Sequence, residues 1–591
     1  MVKRMNNHIK HYNNRLLYTV SRVAVLLMLL TSCAGVKQKP HELAELPSEE
    51  AENQIEAAEF DPQTLYALLA GEIAGQQGDM VTALKYYLPA AENNDDSRIA
   101  ARAARIAIYA KQNELALRAA KRWLALTPDD QQAMKISIIA LLRNNQAEAA
   151  SLQILDLIKN IRRDDSVTDK QAFAAVAKLL QNEAETSDAV LVFKSLSQYY
   201  KDNAQVFLWL SRYAMQANQY ELALQAITRV IELEPENAKA YVLKGRLLAL
   251  SGQQAEALDA MLIAVNKQPD DFVLRKQYAG MLIRQSKLQQ ASEQFEILFA
   301  ARPDDRETII SLGILLLEKN KTERAITLFE RLQNNPQTAN EALYYLGRVD
   351  EVKKNYTEAL ARYQQVERGR LYFDAQLRIA NLYAHLSKID AAVESLQALA
   401  LVEDNPEKKA RVYLLHGRIL QNAGDNKAAI AVYSSALDEL PTNIDLLYAH
   451  ALAAESLDMI DSAVAGFKKL LKQEPENIQA LNALGYTLAD RTDRFQEALE
   501  YILKAFKLKP NDSAILDSLG WVKFRLGKLD EALKWLQQAF DINVDAEIAA
   551  HLGEVLWKMG RTDEANKVWQ NLPAEMQQDR HLQETIKRLK K

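Results

Sequence analysis

Residues 481–512 read LNALGYTLADRTDRFQEALEYILKAFKLKPND, residues 515–545 read ILDSLGWVKFRLGKLDEALKWLQQAFDINVD, and residues 549–572 read AAHLGEVLWKMGRTDEANKVWQNL. Each begins with a leucine–glycine pair, Leu484-Gly485, Leu519-Gly520 and Leu552-Gly553. Twelve or thirteen residues after each glycine comes an alanine, Ala498, Ala532 and Ala565. Self-similarity at a period near 34 marks a stack of identical supersecondary units, and it decides the architecture before any local assignment.

This spelling resembles the tetratricopeptide repeat (TPR). The resemblance implies an all-α solenoid of antiparallel helix pairs, a right-handed superhelix whose first helices (A) line a concave groove. It implies that Gly485, Gly520 and Gly553 sit where helix A crosses close to the second helix, where a side chain would force the two apart. Ala498, Ala532 and Ala565 are then the matching small residues on the second helix, and Ile502, Leu536 and Trp569 fill the core between repeats. Composition agrees with an all-helical chain, since 591 residues hold only 18 glycines and 14 prolines. Prolines give the register a second measure. Pro235, Pro269 and Pro303 are 34 apart, Pro336 follows after 33, and Pro406, Pro441, Pro475 and Pro510 continue at intervals of 35, 34 and 35. Proline after a helix cannot continue it, so these mark the ends of second helices (B). About fifteen helical pairs are expected over residues 63–573, with a capping helix at 574–591. The polar run Arg162-Arg163-Asp164-Asp165-Ser166 interrupts the register as a longer loop or joint. The repeat is weakest over 131–203.

Residues 1–32 read as an export signal. Lys3, Arg4, Lys10, Arg15 and Arg22 precede the apolar run Val23–Leu30, with no acid among them. Loss of the five cations takes the formal charge from −5 to −10, and an acidic chain is not built for nucleic acid. Leu30-Thr31-Ser32-Cys33 resembles the bacterial lipobox, which implies lipidation of Cys33 and attachment to a membrane. Ala34 after it favours the outer membrane by the enterobacterial sorting pattern. Cys33 is the sole cysteine, so intramolecular disulfides are excluded. Residues 33–62 carry no Lys or Arg after Lys39 and read as an acidic tether, with a partner-binding edge at Ile55, Ala58 and Phe60 as the alternative.

No phosphate loop, dinucleotide-binding turn, zinc-protease helix or nucleophile elbow occurs. His416 and His450 recur at one repeat position but without a carboxylate beside them. The acid pairs Asp129-Asp130, Asp270-Asp271 and Asp304-Asp305 adjoin inter-repeat turns and read as helix caps. No catalytic residue, metal site or cofactor is expected. Function is then expected on the groove, reached by the second, fifth, ninth and twelfth positions of helix A. The ninth position gives Arg212, Arg246, Arg348, Arg418, Tyr486 and Trp521. The fifth and twelfth add Tyr344, Tyr448, Asn482, Asp517, Phe524 and Trp557. Arginines and aromatics are typical of interface hot spots, although an ordinary solvated or packing role fits each one singly.

The leader, the tether and the full-length array together resemble a proteobacterial family of outer-membrane TPR lipoproteins, which includes the adaptor of a periplasmic carboxyl-terminal processing protease. The resemblance implies a non-catalytic scaffold on the periplasmic face that binds protein partners. Two other readings stay open: an assembly factor for a pilus, secretin or polysaccharide exporter, and an enzyme with an unrecognised domain at 131–203.

Overall fold

A computed structural model describes residues 61–591; Cys33, the leader and the tether up to Phe60 lie outside them. Among the described residues there are thirty-two helices and no strand. The first thirty form fifteen antiparallel pairs, from Pro62–Gln76 with Met80–Glu92 to Ala546–Lys558 with Thr562–Gln570. The helices Ala574–Gln577 and Arg580–Leu589 follow them. The pairs fall into two compact units, divided in sequence between Pro303 and Asp304.

The pairing rests on a close crossing of helices A and B. A Cβ placed on Gly520 would lie 2.5 Å from Leu536 Cγ, and one on Gly347 would lie 2.9 Å from a ring carbon of Tyr363. At Gly553 it would run into the Trp569 indole, and at Gly417 into the Tyr433 ring. In each case the obstructing residue stands sixteen positions after the glycine, which places one large side chain of helix B in the gap left on helix A. Ala498, Ala532 and Ala565 are fully buried in the same crossings.

Between repeats the backbone is held by caps. Asp130 accepts from the amides of Gln132 and Ala133, Asp271 from Leu274, and Asp305 from Thr308. These bonds satisfy donors that a helix start leaves orphaned. The second acid of each sequence pair is therefore the cap. The first acid of two pairs reaches instead for an arginine near the end of helix B in the same repeat, Asp129 to Arg163 at 2.6 Å and Asp304 to Arg331 at 3.1 Å. Asp95–Arg122 and Asp202–Arg229 repeat that clamp, although exposed pairs of this kind add little stability.

Two places depart from the regular scheme. Pro406 does not end a helix. It stands at the first position of the long helix Pro406–Asn422, capped by Asn405, where its missing N–H costs nothing. At residues 131–203 the helices keep the repeat order, but Ala147–Ile161, beyond its own partner Gln131–Arg143, packs on Thr186–Tyr199 and only lightly on Asp169–Glu183. The loop at 162–168 lets this pair splay, and Phe173, Val176 and Leu180 still join the common core. No separate fold occupies the segment.

Each repeat buries its apolar face only on its neighbours, so damage should stay local. Gly520→Leu should cost roughly 1–3 kcal/mol by overpacking and open residues 478–546 to limited proteolysis. The unit ending at Pro303 should remain resistant; simultaneous digestion of the whole array would refute nearest-neighbour stability.

Candidate partner-binding face

In the unit formed by residues 304–591, the A helices Ile444–Ser456, Ile478–Arg491, Ser513–Arg525 and Ala546–Lys558 succeed one another along one side. They converge there. Tyr486 Oη donates to Glu547 Oε1 at 2.8 Å, across 61 residues and a whole intervening repeat. His551 Nδ1–H donates to Asp517 Oδ1 at 2.9 Å, since the carboxylate can only accept. The His551 ring stacks on Trp521 with centroids 4.1 Å apart, and Trp521 Nε1–H donates to Asp490 Oδ1 at 3.2 Å. Tyr486 from one repeat and Asp517 and Trp521 from the next are thus gathered about one histidine and are buried.

The cluster is acidic. Glu455, Asp490, Asp517, Glu547 and Glu554 face it or border it. Their cationic neighbours are Arg588, which grips Glu554 through two bonds of 2.7 and 2.6 Å, Arg525 on the Asp490 carbonyl, and Arg491 on Asp458. The Glu554 bond raises the Arg588 pKa. Burial holds His581 below the usual histidine range, and the neighbouring His551 lowers it further. Glu455 is buried, and that burial pushes its carboxyl up to about 7.

A proton count agrees with a neutral Glu455. The Thr487 hydroxyl lies 2.9 Å from Glu455 Oε1 and 2.8 Å from the Ala483 carbonyl oxygen. It has one hydrogen and cannot donate fully to both. If the acid keeps its proton, Glu455 donates to Thr487 and Thr487 donates to Ala483, and every group is satisfied. Ionised Glu455 would compete with the carbonyl for one hydrogen, with Asp490 and Glu547 repelling it and only Arg491 in compensation.

Of the other expected residues, Phe524 packs on Trp521 with centroids 5.1 Å apart. Trp557 is half-buried and stacks on Trp569 with centroids 5.9 Å apart. Arg348 is half-buried beside Tyr345, and burial lowers the pKa of Arg418. In the unit ending at Pro303, Arg212 and Arg246 are exposed at the ninth position of successive A helices and form no ion pair with a described residue. The Arg212 guanidinium lies over the Trp209 ring at 4.9 Å. Sequence reasoning found Asp517 but missed Glu455, Asp490, Glu547, Glu554 and His551. Glu547, Glu554 and Glu455 occupy the second, ninth and twelfth positions of their A helices, so the register rule that picked arginines and aromatics would have found them had it been applied to acids. It could not have found His551 or Arg378, which stand at the sixth position. Arg378 pairs with both Glu351 oxygens at 3.0 and 2.8 Å and donates to Tyr344 Oη at 3.1 Å. No group of three metal-ligating side chains occurs among the described residues, and no described helix is long and apolar enough to cross a membrane.

A carboxyl with a raised folded pKa supports the fold while protonated. Its contribution is complete below about pH 4.5 and is lost as pH rises through about 7. Urea unfolding from pH 5 to 8 should show wild type losing on the order of 2–3 kcal/mol relative to Glu455→Gln, whose amide can donate to Thr487 at any pH. Parallel pH profiles for the two proteins would show that Glu455 ionises normally.

Comparison with known proteins shows the family of this chain. The tetratricopeptide repeat model matches residues 208–272, 282–342, 310–372, 377–444, 448–513 and 488–543. A TPR repeat-containing protein of Pseudomonas aeruginosa is 36% identical over 496 residues, covering 84% of this chain and 82% of that one. Among solved structures, a tetratricopeptide repeat protein from Parabacteroides merdae aligns with 42% of this chain and 98% of its own at 14% identity and a TM-score of 0.34. A thermophilic TPR protein from Thermus thermophilus covers 30% of this chain and 96% of its own at 25% identity and a TM-score of 0.27. With the family model matching more than half of its length and the Pseudomonas relative aligned over most of both chains, this chain belongs to the tetratricopeptide repeat family.

Proposed function

We propose that this protein is a non-catalytic scaffold, tethered through Cys33 to the outer membrane on its periplasmic side, that holds protein partners on the inner face of its A helices. TPR arrays are protein-interaction scaffolds, and the single observation that carries the reading of the face is the pair Arg212 and Arg246. They recur 34 residues apart, exposed and without an acid of their own, so two guanidiniums stand ready for carboxylates of an incoming chain. In the unit formed by residues 304–591, Arg348, Arg418 and Trp557 offer a contact surface of their own. Tyr486, Asp517 and Trp521 act from beneath it, by setting the spacing of the helices that bear the face. The partner on this reading is a carboxyl-terminal processing protease, brought together with its envelope substrates at a raised effective concentration. The sequence resemblance to outer-membrane TPR lipoproteins supports that choice.

Capture from solubilised envelope tests the partnership. Arg212→Glu with Arg246→Glu, both on exposed sites, should lower recovery of the protease at least tenfold while helical content stays unchanged. Recovery of pilus, secretin or export components in place of a protease would replace the adaptor reading with an assembly role. For the anchor, Cys33→Ser should move the protein from the membrane to the soluble fraction or stall its maturation. Unchanged fractionation would remove the lipoprotein reading.

A further inference from the structure

The first helix, Pro62–Gln76, presents an apolar stripe of Leu65, Tyr66, Leu69 and Ile73 to solvent. The repeat register shows what that stripe is. Tyr66 lies five residues before Gly71, the glycine that meets Tyr87 on helix B. The corresponding residues of the next six repeats are Ile99, Ala133, Ala172, Val206, Ala240 and Leu274, each 5% exposed or less, against 66% for Tyr66. Ile73, two residues after Gly71, is 58% exposed, whereas its counterparts Ile106, Tyr213 and Leu247 are buried. These positions meet the repeat before: Tyr213 Oη donates to the Ala177 carbonyl of the preceding A helix at 2.7 Å. The stripe is therefore continuous with the established inter-repeat interface, a socket made for a neighbouring helix.

The preceding sequence does not spell that neighbour. At the small or apolar helix-B positions one period upstream stand Glu49, Asn53 and Glu56, and burying such groups unpaired is costly. The opposite end of the array is closed by Arg580–Leu589, which buries Leu582 and turns Arg580, Glu584 and Lys587 outward. Head-to-tail stacking onto that charged helix would bury its charges. The stripe itself bears no charge, and Glu72 beside it is held by Arg102 at 3.0 Å, so two copies of the stripe meet without like-charge repulsion. We propose that the stripe of Pro62–Gln76 packs on the same helix of a second copy, giving an isologous dimer about a two-fold axis. Such a contact closes on itself and cannot propagate.

Mass photometry and sedimentation of the full-length protein in mild detergent test this. Wild type should run at twice the monomer mass. Leu69→Glu with Ile73→Glu should weaken dimerisation at least a hundredfold while circular dichroism and Tm stay unchanged. In a Cys33→Ser background, Leu69→Cys should be joined to itself by a short bismaleimide, which keeps the test open if the glutamates disturb folding. A wild type that stays monomeric at every concentration, or a dimer indifferent to both glutamates with no Leu69→Cys cross-link, would overturn the proposal. So would a monomer that binds phosphatidylethanolamine–phosphatidylglycerol vesicles through Leu69 and Ile73.

Discussion

Everything in this chain depends on how closely two helices can cross. Where helix A carries a glycine, helix B can send a leucine, tyrosine, phenylalanine or tryptophan into the gap, and the side chain sixteen residues on fills it. That contact fixes the angle within a repeat, and the angle within a repeat fixes which faces are left to bury on the next. Because packing at protein density tolerates neither a void nor an extra methylene cheaply, the geometry is passed along each unit by local contacts. No long-range core is needed.

On the side where A helices converge, the constraint changes from volume to charge. Tyr486, Asp517 and Trp521 spend their polar atoms on Glu547, His551 and Asp490. Three consecutive repeats are therefore joined by hydrogen bonds as well as by apolar contact. A buried polar network is favourable only when its members are satisfied, and the Glu455–Thr487–Ala483 chain meets that condition with a proton on the acid. Arg212 and Arg246, in the unit ending at Pro303, are exposed and form no ion pair with a described residue. The two roles expected of one surface, recognition and reinforcement, are thus divided between different residues of the same register.

The helical pairs were legible because their determinants are short in sequence: a glycine, an alanine twelve or thirteen on, a large residue sixteen on, an acid or asparagine before the next helix. Pro406 shows the limit of such a rule. Proline serves equally after a helix and at the first position of one, and spacing alone does not separate the two. The splay at residues 131–203 was visible as a weak stretch, but not as a change of packing partner, because that depends on how a loop at 162–168 swings a helix. The candidate face was legible in register and only partly in membership. Position within helix A shows which side a residue takes, but not whether a neighbouring repeat brings it a partner.

The amino-acid sequence by itself determined the all-helical repeat, its period, its fifteen pairs and the positions of its caps. The physical reason is that each rests on contacts between residues less than one repeat apart. Only the tertiary structure decided that Tyr486 meets Glu547 across 61 residues, that His551 sits at the centre of the acidic cluster, and that Tyr66 and Ile73 stand exposed at positions buried in later repeats. Those outcomes come from the rotation between successive repeats and from what each repeat meets beside it. Neither is written in any one unit, since every unit carries nearly the same spelling.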